Sequence, residues 1–120
     1  MEKNKHRIIG VDFDGTLSKT ISYPEPGEPI QEVIDYVKQA QLEGAYVILI
    51  TMREGMSLKM AVNWCKEQGL EFDAVNDNLP HMKEFFRNNP RKIFVTEYLD
   101  DRNMGGIECI LEKIKKEREW

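Results

Sequence analysis

Ile8-Ile9-Gly10-Val11-Asp12-Phe13-Asp14-Gly15-Thr16-Leu17 is the stretch that decides how this chain is read. A run of β-formers ends in two carboxylates one residue apart, and a glycine follows at once. Side chains alternate along a strand, so Asp12 and Asp14 both reach past its carboxyl end while Val11 and Phe13 turn into the body. Two such carboxylates repel unless a proton or a cation lies between them, and a hard, oxygen-seeking ion such as Mg²⁺ suits the pair. A calcium loop of the EF-hand type is excluded, because the sixth position counted from Asp12 is Leu17, where a glycine is required.

Beyond this stretch, residues 18–29 hold Pro24, Pro26, Gly27 and Pro29. That density of breakers makes a loop or small flap beside the aspartates, too short for a folded domain. From Ile30 to Glu43 the apolar positions Ile30, Val33, Ile34, Val37 and Ala40 follow helical spacing. Ala45 to Thr51 is an almost continuous apolar run, as in a strand buried on both faces of a parallel sheet. A second amphipathic helix fits Met56 to Gln68, a short strand Leu70 to Val75, a brief helix Pro80 to Asn89, a strand Ile93 to Leu99, and a last helix the stripe Ile107, Ile110, Leu111 and Ile114. Strands and helices therefore alternate, which predicts a parallel sheet with helices on both faces and a ligand site at the carboxyl ends of the strands. Asp12 and Asp14, Thr51, and Asp100 with Asp101 end three separate strands and should gather at one edge.

With 120 residues, 41% of them hydrophobic, the chain is expected to form one domain over 1–120. Within it, 1–6 should be a flexible N-terminus, 18–29 the flap, and 115–120 a solvated charged end. Seventeen basic against 21 acidic residues give a net charge of −4, which disfavours nucleic acid as a partner without excluding it. The polar, basic start from Met1 to Arg7 is neither a leader nor a membrane span, so a cytoplasmic protein with no membrane partner is expected. Cys65 and Cys109 lack metal-ligand spacing and read as small buried hydrophobes. His6 and His81 read as surface residues.

Asp12-Phe13-Asp14-Gly15-Thr16-Leu17 resembles the first motif of the haloacid dehalogenase superfamily of Mg²⁺-dependent phosphotransferases. Thr51 at the end of an apolar strand is similar to the second motif, Lys92 to the third, and Asp100-Asp101 to the fourth. Thr51-Met52-Arg53-Glu54-Gly55 and Arg91-Lys92-Ile93 are closest in kind to small capless members. The resemblance covers Ile8 to Gly106 and leaves the last helix outside.

What it implies is a Rossmann-like α/β/α sandwich with a mainly parallel sheet and no cap domain, and an Mg²⁺-dependent phosphomonoester hydrolase. Asp12 would attack phosphorus and carry an aspartyl-phosphate, and Asp14 would act as acid and base. Mg²⁺ would be held by Asp12, by Asp14 through its main-chain carbonyl, and by Asp100 and Asp101. Thr51 would bind a phosphate oxygen and Lys92 would supply positive charge, with Lys83 the alternative. Gly15, Thr16, Met52 and Arg53 would line the substrate, Arg53 either as a phosphate clamp or as a surface ion-pair partner near Glu54. The expected substrate is a small phosphorylated molecule, and the missing cap favours a homo-oligomer whose second chain roofs the pocket. Two rivals stand beside this reading. One is a phosphatase for polynucleotide ends, because Thr51 to Gly55 and Asp100-Asp101-Arg102 also resemble the phosphatase half of end-repair enzymes. The other is a catalytically silent module that binds a phosphorylated ligand or a protein.

Overall fold

The computed structural model describes residues 3–118. In chain order the elements are β1 (Ile8–Val11), β2 (Ser18–Lys19), β3 (Glu28–Pro29), α1 (Gln31–Leu42), β4 (Tyr46–Leu49), α2 (Gly55–Glu67), β5 (Ala74–Val75), α3 (Pro80–Phe86), β6 (Glu97–Leu99) and α4 (Gly106–Arg118). Four strands form one parallel sheet in the order β5-β4-β1-β6, and β2 and β3 pair as a small antiparallel hairpin. This is a Rossmann-like α/β/α fold with a parallel central sheet.

β1 is central because its four residues are wholly buried and it pairs on both edges. Alternation then sorts the sheet into two faces. Ile9, Val11, Val47 and Leu49 turn to a layer made by α1, α2 and α4, where Val33, Ile34 and Val37 of α1 are fully buried. Burying each of those side chains contributes roughly 1.5–3 kcal/mol, whereas neither α1 nor α2 has a side-chain cap at its N-terminus. Packing, not capping, holds these helices.

The opposite face, with Ile8 and Ile48, is covered more thinly by Leu79, Met82 of α3, and the extended residues Ile93 and Val95. Here the expected strand from Ile93 to Leu99 is corrected, since only Glu97–Leu99 enters the sheet. Residues 93–95 lie across the face instead, and Gly10 makes room for them. A Cβ at Gly10 would stand 2.9 Å from Val95 and 2.7 Å from Ile50. The Leu70 to Val75 strand likewise shortens to Ala74–Val75.

Lys3 Nζ donates to the Ala45 carbonyl (2.9 Å) and the Asn4 amide to the Gly44 carbonyl (2.7 Å), beside the start of β4. Two further expectations change. His81 is partly buried, its ring 4.9 Å from that of Tyr46. Cys65 is buried and Cys109 only partly so. At the other end α4 stays helical through Arg118, and the rest of the charged end, residues 119–120, lies outside the described residues. Among the described residues no helix is long and apolar enough to cross a membrane.

Candidate active site

The register of the sheet explains why distant residues meet. β1 lies between β4 and β6, with Val11 opposite both Leu49 and Leu99. The ladder runs one step further on each side, the Asp12 amide donating to the Leu99 carbonyl (2.9 Å) and the Ile50 amide to the Val11 carbonyl (2.9 Å). The segments that follow, beginning at Asp12, Thr51 and Asp100, must leave the same edge together.

Asp12, Asp100 and Asp101 each present a carboxylate oxygen within 4.8 Å of the others, and all three are half-buried. Burial, then the charge of Asp100 and a hydrogen bond with Asp101, push the Asp12 carboxyl up to about 7 against a weaker opposing bond from the Phe13 amide. Such a cluster is costly without a positive charge inside it, and its donors are all hard oxygens, so it suits a small divalent cation. Asp12, Asp100 and Asp101 are the residues that could hold one.

Thr16 and Gly15 serve this cluster. Thr16 is wholly buried. Its hydroxyl oxygen accepts the Asp101 amide at 2.9 Å and lies 3.5 Å and 3.4 Å from carboxylate oxygens of Asp12 and Asp101. Gly15 has φ +87°, and a Cβ there would overlap the Asp101 carboxylate. The sequence places both along the substrate; the structure shows them setting the carboxylates, a signal the sequence carried only as part of a motif. Asp100 is steadied by the Arg102 amide donating to its Oδ1 (2.9 Å), while the Arg102 side chain is exposed.

Asp14 points elsewhere. Its Oδ1 accepts from Thr20 Oγ1 (2.6 Å) and Arg53 Nη2 (2.8 Å), and its Oδ2 from Arg53 Nε (2.9 Å). Its side chain is thus not part of the acidic cluster. Although burial acts to raise it, the bonds from Arg53 and Thr20 and the charge of Arg53 hold the Asp14 carboxyl below the usual carboxylate range.

Arg53 is corrected on both of its expected roles. Its side chain is 0% exposed, and Nη1 donates to the carbonyls of Pro24 (2.8 Å) and Ser57 (3.0 Å). Four of the five N–H donors of a guanidinium are thereby used, and the group lies 4.8 Å from the ring centres of both Phe13 and Tyr23. It is neither a surface partner of Glu54 nor a free phosphate clamp. It fastens the β2–β3 hairpin and Asp14 to the start of α2.

Thr51 follows β4 with its amide donating to Asn76 Oδ1 (2.8 Å) and its Oγ1 accepting the Arg53 amide (3.1 Å), which leaves the hydroxyl proton free to donate. Met52 is 98% exposed. Asn78, buried just past β5, was missed from the sequence: it donates to Asn89 Oδ1 (3.1 Å) and the Pro90 carbonyl (3.0 Å) and accepts the Phe94 amide (2.8 Å). This clip starts the return run toward Thr96, whose amide reaches Ile8 at the far end of β1. Lys92 is exposed on that run, with no hydrogen bond or ion pair among the described residues. Lys83 is already bonded to Asp77 Oδ2 at 2.7 Å.

No family model matches the chain, and no curated protein does. Among solved structures it is similar to a chain of the Pnkp1/Rnl/Hen1 RNA repair complex, at 20% identity over 99% of this chain and 42% of that one, with a TM-score of 0.60, a likeness of fold. It is also similar to a conserved protein of Bacteroides thetaiotaomicron, at 38% identity with a TM-score of 0.74. Because that match covers 92% of this chain and 91% of the other, the chain belongs to the family of this Bacteroides protein.

Proposed function

We propose that this protein is a phosphomonoester hydrolase of the haloacid dehalogenase type, dependent on Mg²⁺. The observation that carries the reading is the meeting of Asp12, Asp100 and Asp101 within 4.8 Å at the edge where Thr51 also emerges. Asp12, Asp100 and Asp101 would hold Mg²⁺, which supplies positive charge against the phosphoryl oxygens. Asp12 attacks phosphorus, a P–O bond to its carboxylate forms, and the bond to the substrate alcohol breaks. Asp14 gives its proton to that departing oxygen and then takes one from the water that attacks the aspartyl-phosphate, returning Asp12 and inorganic phosphate. Thr51 donates its free hydroxyl proton to a phosphoryl oxygen, and Lys92, exposed on the return run, offers a cation.

The grip of Arg53 has a consequence for this scheme. It keeps Asp14 charged, the form that receives a proton from water, so proton delivery to the leaving group is the harder half. Replacing Asp14 with Asn should therefore slow esters of basic alcohols far more than esters with good leaving groups. A uniform loss would remove Asp14 from the proton path.

Release of phosphate from nucleic-acid ends is a second reading, favoured by the likeness to a chain of an RNA repair complex over 99% of this chain. The net charge of −4 weighs against it. A phosphate-release screen with Mg²⁺ over sugar phosphates, nucleotides and end-phosphorylated oligonucleotides tests both. Asp12→Asn should abolish release while the fold remains, and turnover by that variant would rule out the covalent route.

A further inference from the structure

Tyr23 is an exposed aromatic residue that is nevertheless held rigidly. It is 63% exposed, yet its hydroxyl donates to Ser57 Oγ (3.1 Å) and the carbonyl of its neighbour Pro24 accepts from Arg53 Nη1 (2.8 Å). One side of its ring rests on the Arg53 guanidinium at 4.8 Å, and Phe13 lies the same distance from that group. Arg53 is the group that grips Asp14 at 2.8 and 2.9 Å. Tyr23 thus stands one guanidinium away from the carboxylate that serves the leaving oxygen, at most about 9 Å from it by the geometry of a forked pair.

An immobilised ring facing solvent binds a flat partner without a new ordering cost, since its rotamer freedom is already spent. Ile21 and Met52, which neighbour Tyr23 and Arg53 in sequence, are 90% and 98% exposed, and methionine adapts its shape to apolar and aromatic surfaces.

We propose that Tyr23 is a stacking platform for the base of a nucleoside phosphomonoester, with the ribose bridging from the platform to Asp14. This deepens the phosphatase reading and rests on it. The nucleoside could be a free mononucleotide or the end of a nucleic-acid strand, because the platform sees the same base in each.

The test compares kcat/KM, with Mg²⁺, for adenosine 5′-monophosphate, ribose 5-phosphate and a 5′-phosphorylated oligonucleotide in the wild type, Tyr23→Leu and Tyr23→Phe. Leu covers Arg53 without offering a ring, and Phe keeps the ring while losing the bond to Ser57. Tyr23→Leu should lose roughly ten- to hundred-fold on the nucleotide, the range of one lost base–aromatic stack, and less than about two-fold on ribose 5-phosphate. Tyr23→Phe should restore the nucleotide rate. Whether the oligonucleotide is used tells free nucleotide from strand end. Equal losses on nucleotide and ribose 5-phosphate would make Tyr23 merely a support for Arg53 and overturn the platform, as would no loss on either. A wild type that releases phosphate from none of the three refutes the phosphatase reading instead. Calorimetric titration with the same two small esters then decides the platform, and equal affinities would overturn it.

Discussion

Arg53→Met puts the buried clasp at the centre of the site to a quantitative test. The substitution keeps a long apolar stem but removes the two bonds to Asp14, at 2.8 and 2.9 Å, and the bonds to the carbonyls of Pro24 and Ser57. Breaking a buried ion pair by deleting one partner costs about 3–5 kcal/mol. Asp14 remains 33% exposed, however, and water takes over part of its solvation, which argues for the lower end. We expect a loss of about 3 kcal/mol from a total that for a domain of this size lies around 5–15 kcal/mol. At about 2.1 cal/mol/K of unfolding entropy per residue, 120 residues give about 0.25 kcal/mol/K, and the midpoint should fall by about 12 °C. Urea unfolding gives the free energy and a thermal scan the midpoint, both with and without Mg²⁺. Arg53→Lys should fall between wild type and Met, since an ammonium cannot reproduce the fork. A loss below about 1 kcal/mol in Arg53→Met would mean the contact behaves as an ordinary surface pair, and the argument that Arg53 positions Asp14 would fail.

The remaining predictions concern the neighbouring groups. Gly15→Ala should weaken Mg²⁺ binding at least several-fold while leaving most of the sheet intact, because a Cβ there overlaps Asp101 and the backbone holds φ +87°; calorimetric Mg²⁺ titration measures it, and unchanged affinity would separate Gly15 from the acidic cluster. Lys92→Met should cost about 10²-fold in phosphate release, whereas Lys83→Met should leave the rate within two-fold, and the reverse ranking would reassign the cation. The bond from Lys83 holds the Asp77 carboxyl below its usual range, so the stability from this pair is present above the unfolded value near 4 and is lost as pH falls through the lower folded value. Asp77→Asn should therefore flatten the acid limb of the stability curve slightly, by no more than about 1 kcal/mol for an exposed pair, as read by urea midpoints between pH 2 and pH 6; an unaltered limb would argue that the pair contributes nothing.

Local pattern determined much of this protein. The apolar run into Asp12 and Asp14, the helical stripe from Ile30 to Ala40 and the buried run from Ala45 to Thr51 depend on side-chain period and burial, which are properties of the chain itself. They were enough for a parallel α/β fold and for the meeting of three strand ends. Segments whose state depends on distant partners were not legible. Residues 93–95 have strand composition, yet no strand among the described residues pairs with them; Gly10 opens a niche on the face of the sheet and Asn78 clips the chain that enters it. The contacts of Arg53, Thr16 and Tyr23 were hidden for a related reason. A sequence shows an arginine, a threonine and a tyrosine, whereas only packing decides that Arg53 is sealed between two rings and turned onto a carboxylate 39 residues away. The choice between a solvated and a buried charge belongs to the tertiary structure, because desolvation and pairing act only once the neighbours are in place.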